Sequence, residues 1–305
     1  VAAVFDAFLQ VYRHETRDLF RLASGGTGVL PPGEISPLLV DCLAVKAAEI
    51  AERILDICIR ALDYCPPVDM YFGEYLRALV TADRDIHPDD SGAYRVAFID
   101  AFRSRGIYPA EVTSLSEESL AWAPPQHRIP DLEKTIRELD QSWDLDAKRF
   151  EAWARARGNA RDLHAWLVDP QRTDAELRLL GLAKPGTQLA MGEPGEFSRI
   201  EVHSVRPARR IAADRQLRVD VVVELTQKWM PGDRAKPFHR GGSTLVIDAD
   251  SGEIRYLVRK RVDSVRRMED QQRFKLGLAQ QRPYRTYFGG DAGEAEPFAI
   301  AHRNL

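Results

Sequence analysis

The spacing of apolar residues changes once along this chain, and that change bounds what the chain can fold into. Up to about residue 183 apolar side chains recur every three to four positions, as on one face of a helix. From Phe197 onward they alternate, as in half-buried strands. Between the two lies Lys184 to Glu196, rich in Gly and Pro, the clearest internal boundary. Helices first and strands afterwards make an α+β protein. The expected organisation is an N-terminal all-helical domain over residues 1–183 and a small antiparallel-sheet α+β domain over 196–305. A length of 305 residues suits two such units.

The helical half divides at its own punctuation. Val4, Phe5, Phe8, Leu9 and Tyr12 mark the inward face of a first helix, ended by Ser24-Gly25-Gly26-Thr27-Gly28. Ser36 with Pro37 reads as a cap and first turn, followed by the stripe Leu39, Leu43, Ala47, Ile50, Ile54, Ile57 and Ala61 up to Pro66-Pro67. Asp69 is placed to cap a third helix with Phe72, Leu76 and Leu79. Asp89 or Asp90 is placed to cap a fourth with Tyr94, Ala97, Phe98, Ala101 and Phe102, closed at Gly106. Shorter patterns follow: Leu132, Ile136, Leu139 and Trp143; Phe150 and Trp153, stopped by Gly158; Leu163, Trp166 and Leu167; and a Thr173/Glu176 capping box before Leu177, Leu180 and Gly181.

In the second half Leu217, Val219, Val221, Val223 and Leu225 alternate, with Phe197 to Val205 as a partner strand. Thr244 to Ile247 and Ile254 to Val258 read as a hairpin through Asp248-Ala249-Asp250-Ser251-Gly252, giving three or four strands in all. Ser264 can cap a last helix with Val265, Met268 and Phe274, ended by Gly277.

Charge and composition exclude several classes. Lys and Arg number 43 against 46 Asp and Glu, so nothing in the whole chain drives it toward nucleic acid or an anionic membrane. Residues 196–305 carry 21 Lys and Arg against 15 Asp and Glu. Arg206, Arg209 and Arg210, and Arg255, Arg259, Lys260 and Arg261 around Tyr256, could form a single-stranded nucleic-acid platform. The polar face of an open sheet has the same pattern, and the small excess favours it. No run approaches about 18 apolar residues, so no transmembrane helix is expected. Val1 to Leu9 has no basic leader and is already in helical phase without Met or a cap, the expectation for a chain cut inside a longer helix. Cys42, Cys58 and Cys65 form no CxxC and no Cys/His pair. They are expected to be reduced, Cys42 and Cys58 inside a helix core, which leans toward a reducing compartment such as the cytoplasm.

Few residues offer chemistry. Asp83, Asp85, His87, Asp89 and Asp90 put four carboxylates and an imidazole within eight residues at a helix-to-helix turn, and a divalent cation could use them. The calcium-loop Gly and closing Glu are absent, so a solvated capping turn is the plainer reading. Asp248 to Glu253 resembles the start of a calcium loop but suits a hairpin turn better. Gly25 to Gly28 follows a helix and lacks the Lys-Ser/Thr of a phosphate loop. His14-Glu15 opens like HExxH, but Asp18 stands where the second His is needed. No GxSxG elbow occurs.

Longer strings carry more. Val1-Ala-Ala-Val-Phe-Asp-Ala-Phe-Leu9, Arg21-Leu-Ala-Ser-Gly-Gly-Thr-Gly-Val-Leu-Pro-Pro-Gly-Glu34, Cys58-Ile-Arg-Ala-Leu-Asp-Tyr-Cys-Pro-Pro-Val-Asp69 and Tyr94-Arg-Val-Ala-Phe-Ile-Asp-Ala-Phe-Arg-Ser-Arg-Gly-Ile107 resemble the helical C-terminal lobe of bacterial gluzincin-like, thermolysin-related proteins. Gly241 to Tyr256, with Arg266-Arg267, is similar to the tail of the same group. The resemblance implies a zinc metallopeptidase-like parent in which HExxH and a downstream Glu hold zinc, the motif's Glu activates water and a later His steadies the oxyanion. None of those residues maps onto this chain. The expectation is a non-catalytic part, without a cofactor of its own, that supports a cleft supplied by an N-terminal lobe. The alternative is an interaction or scaffold protein binding a peptide or protein along a sheet edge. Zinc-ligand motifs upstream in the parent reading frame would favour the first.

Overall fold

A computed structural model describes residues 1–139, 148–189, 194–211, 216–233 and 238–280. Helices come first: α1 (Ala2–Ala23), α2 (Pro37–Ala61) running into a 3-10 turn (Leu62–Tyr64), α3 (Phe72–Ile86), α4 (Tyr94–Arg103), α5 (Glu117–Leu120), α6 (Pro130–Glu138), α7 (Arg149–Leu167) and α8 (Asp174–Leu179). Then come β1 (Gly195–Phe197), β2 (Glu201–Ile211), β3 (Leu217–Pro231), β4 (His239–Asp248), β5 (Ile254–Lys260) and α9 (Val265–Gln280). The fold is α+β, and among the described residues no strand precedes Gly195. The sheet has five strands rather than three or four, in the order β1-β3-β4-β5, with β2 also paired to β3. β1 runs antiparallel to β3, Phe197 opposite Trp229.

The compact units do not follow the change of period at 183–196. One comprises Val1–Trp143, Arg206–Val223 and Thr244–Val258; the other comprises Asp144–Val205, Glu224–Ser243 and Arg259–Leu305.

In the first unit the α2 stripe is buried at Ile50, Ile54, Ile57 and Ala61, in one core cluster with Leu76 and Leu79 of α3 and Phe98 and Phe102 of α4. Leu43 is only half-buried. The inward face of α1 is turned by about one residue from the expected one: Ala3, Ala7 and Val11 are innermost, while Phe5 is 58% exposed. Small Ala side chains let α1 lie close to α2 and α4. The rings of Phe5, Phe8 and Tyr12 then stack along its flank, with centroids 5.9 and 6.0 Å apart.

Several local signals were placed correctly and others were not. Asp90 accepts the backbone N–H groups of Tyr94 and Arg95 at 2.7 and 3.0 Å, completing the start of α4. Thr173 and Glu176 form the capping box of α8. The N-cap position of α3 is held by Tyr71 and not by Asp69, which sits in the left-handed region at φ 47°, and Glu74 accepts the Tyr71 N–H at 2.8 Å. Gly158 does not stop α7 and Gly277 does not stop α9, because a helical Gly costs only about 1 kcal/mol against Ala. Trp143 and the Phe274 side chain lie outside the described residues. The β4–β5 hairpin turns as expected, with Asp248 Oδ1 accepting the N–H and hydroxyl of Ser251, both at 2.9 Å. Gly252 is required there, since φ is 72° and an added Cβ would stand 2.5 Å from the Glu133 carbonyl oxygen.

The second unit has its own small core of Ala183, Phe197, Trp229, Val262 and Met268. Buried Gln227 pairs through its amide with both the N–H and the C=O of Ala183, each at 2.8 Å. One side chain of β3 thus meets the backbone needs of the chain leaving α8.

Candidate functional site

The acidic run at the end of α3 does not assemble into one site. Asp83 and Asp85 lie within the helix, not in the turn after it, and two residues along a helix is about 200° of rotation. Their carboxylates therefore leave opposite sides, and each meets arginine.

Asp83 is fully buried and holds Arg95 Nη1 at 2.8 Å, Arg53 Nη2 at 3.3 Å and His87 Nδ1 at 3.1 Å. Arg95 reaches on to Glu117 at 2.6 Å and to the carbonyl of His87 at 2.8 Å. Burial works against the Arg95 guanidinium, but Glu117, Asp83 and Asp90 outweigh it and raise its pKa. Asp89 is exposed. Of Asp83, Asp85, His87 and Asp89, which a divalent cation could have used, only Asp83 and His87 come together. Among the described residues no group of three or more His, Cys, Asp or Glu is placed to hold a metal.

On the other side of α3, Asp85 enters a buried ionic cluster with residues far away in sequence. Arg255 of β5 grips its two oxygens, Nη1 at 3.1 Å from Oδ2 and Nη2 on Oδ1, and the Tyr64 hydroxyl donates to Oδ2. Arg255 Nη1 also donates to Asp220 of β3 at 3.0 Å. Asp220 in turn accepts from Arg60 Nη2 at 2.9 Å and Arg210 Nε at 3.1 Å. Asp63 closes the cluster, 2.7 Å from Arg60 and bonded to Arg206. The Tyr64 and Tyr256 rings meet edge to face, 5.3 Å between centroids. Four guanidiniums thus stand against three carboxylates.

The two central carboxylates are shifted in opposite directions. Burial alone would raise Asp85, but the hydrogen bond and charge of Arg255 and the Tyr64 hydroxyl bring it below the usual carboxylate range. For Asp220 burial prevails over Arg255, Arg210 and Arg60 and pushes the carboxyl up. Burial also holds the Tyr64 hydroxyl well above the ordinary tyrosine value, so it remains a donor. Arg255, opposed by burial but held by Asp85 and Asp220, is raised. Such an arrangement fixes the end of α2, α3 and the strands in one register.

Arg255 and Tyr256 also line a cleft of about 350 Å³ with Arg84, Glu118 and Trp122. Arg77 lies over the Trp122 ring at 3.6 Å and donates to the Leu120 carbonyl at 2.9 Å, while burial lowers its pKa to about 10. Arg84 is exposed. Glu118 lies beside Arg84, and Arg255 is already held by Asp85 and Asp220, so the lining has little unmatched charge.

The other motifs resolve as local structure. Gly25 to Gly28 ends α1, with the Gly26 N–H on the Arg21 carbonyl at 2.7 Å. His14 and Asp18 are exposed on α1, where Asp18 stands 4.0 Å from Arg21. The basic stretches are not the open face of a sheet: Arg206, Arg210 and Arg255 serve the buried cluster, Arg261 pairs with Asp263 at 2.8 Å and Arg259 caps the Leu179 carbonyl at 3.1 Å. Cys42 is exposed and Cys58 half-buried. The buried thiol is Cys65, pushed up to about 12 by burial. Cys42 lies outside the core because it falls off the Ile50, Ile54, Ile57 stripe.

Arg210 and Arg255 stand out in the sequence only as basic stretches, and no local signal pairs them with Asp85 or with Asp220. The chain matches no family model, no curated protein and no solved structure.

Proposed function

We propose that the chain is the non-catalytic supporting part of a gluzincin-like, zinc metallopeptidase-like protein, its helices backing a cleft that a zinc-carrying lobe supplies. The observation that carries this reading is the outer face of α2. Ala44, Ala48, Ala51, Leu55, Ile59 and Leu62 recur every three or four residues and every one is exposed, Leu55 and Ile59 at 58% each. Ile50, Ile54 and Ile57 occupy the buried side of the same helix. A helix apolar on two sides is suited to packing on two sides. The three alanines allow close backbone approach, and the larger residues supply area. The arginine–carboxylate cluster fits a supporting role, since its buried ion pairs fix the end of α2, α3, β3 and β5 in position.

Leu55→Glu/Ile59→Glu tests this directly, because both side chains point away from the core. The double variant should keep its helical circular dichroism and lose hydrophobic-dye binding and concentration-dependent self-association. Unchanged dye binding and association would remove the reading. A second reading, an interaction or scaffold protein binding a peptide, rests on β5, which stands at the end of the strand order and pairs with β4. Peptide binding of that kind would survive the Leu55→Glu/Ile59→Glu change.

A further inference from the structure

We infer that the second unit contains a binding site for a small amphipathic monocarboxylate, in a cleft of about 410 Å³ formed where α7 ends and α8 begins. The volume falls within the range of small-molecule sites, roughly 300 to 1,000 Å³. Leu167 and Leu177, both buried, give it an apolar floor, and Pro170 and Pro185 add apolar walls.

Basic groups surround that floor. His164, Lys184 and Arg199 line the cleft, and none of their side chains makes a hydrogen bond or ion pair among the described residues. Arg172 also lines it but is matched by Glu176 at 3.2 Å. Asp169 is the one carboxylate in the lining, and its Oδ1 accepts the Gln171 N–H at 2.8 Å.

The charge balance selects the ligand. Lys184 and Arg199 exceed Asp169 by one unit, and the carbonyl end of α7 subtracts about half a charge. A surplus of that size suits one carboxylate and does not suit a polyphosphate. The apolar floor requires the rest of the ligand to be hydrocarbon. A medium-chain carboxylic acid and the C-terminus of a peptide ending in an apolar residue share this chemistry.

The test is calorimetric titration of the full chain with sodium octanoate, with N-acetyl-leucyl-leucine and with octylamine. At least one of the two carboxylates should bind saturably at one per chain, and which one does so identifies the source. Octylamine should not compete. Lys184→Gln/Arg199→Gln, two exposed positions, should weaken the carboxylate about tenfold or more with an unchanged dichroism spectrum. Val168→Asp, on the exposed rim, should weaken it independently. Failure of both carboxylates to saturate, equal binding of octylamine, or unchanged affinity in the double variant would each overturn the site.

Discussion

Replacing Asp85 with Asn removes the charge that Arg255, Arg210 and Tyr64 share, while leaving the shape almost unchanged. The Asp85 side chain is 5% exposed and that of Arg255 19%, so water cannot take the missing partner's place. Breaking one side of a buried pair typically costs about 3 to 5 kcal/mol, a large share of a total stability of about 5 to 15 kcal/mol. The pKa direction adds a pH signature. A carboxyl whose folded pKa lies below its unfolded value contributes stability above the unfolded value, near 4, and loses it as pH falls through the folded one. The deficit of Asp85→Asn should therefore be full at pH 7 and shrink toward zero well below pH 4. Asp220→Asn should cost less although that side chain is fully buried, because burial raises that carboxyl and ionising it in the fold is already unfavourable. Glu138→Gln, in the exposed pair with Lys134 at 3.8 Å, should cost no more than about 1 kcal/mol. Urea unfolding followed by dichroism at 222 nm, at several pH values, measures all three. A loss below about 1 kcal/mol for Asp85→Asn, or a larger loss for Asp220→Asn, would refute the reasoning.

Two further outcomes follow from local geometry. A thiol reagent applied to the native chain at pH 8 should modify Cys42 quickly and leave Cys65 untouched until the protein unfolds, since Cys65 is buried and its thiol pushed up to about 12; simultaneous labelling would contradict this. Gly252→Ala should destabilise by more than about 1 kcal/mol, because the left-handed φ and the contact with the Glu133 carbonyl both oppose a Cβ; a neutral effect in urea would mean the turn can rearrange.

The fold class was legible because it depends on periodicity, which a sequence displays directly. The α2 stripe, the hairpin at Asp248 to Gly252 and the Thr173 capping box all rest on residues within a few positions of one another. The face of α1 was misjudged because large apolar residues were assumed to point inward, whereas the close helix contacts use Ala3 and Ala7. The acidic run reads most plainly as a solvated capping turn because spacing in sequence does not show that Asp83 and Asp85 are buried within a helix. Helical rotation sends Asp83 and Asp85 to different partners. Arg60, Asp220 and Arg255 are 160 and 35 residues apart, and nothing local could have joined them. One overlooked signal was available: α2 carries a second apolar row from Ala44 to Leu62 that a single-stripe reading ignores.

The claim that this chain supports catalysis without performing it is tested most directly by zinc content and peptidase activity measured together. The purified chain, dialysed after incubation with zinc, is assayed by elemental analysis and on an unstructured protein substrate. The account predicts no stoichiometric zinc and no cleavage, because Asp83, the carboxylate that meets His87, is held by Arg53 and Arg95, and Asp85 is held by Arg255. One tightly held zinc per chain, with hydrolysis that a chelator abolishes, would contradict it.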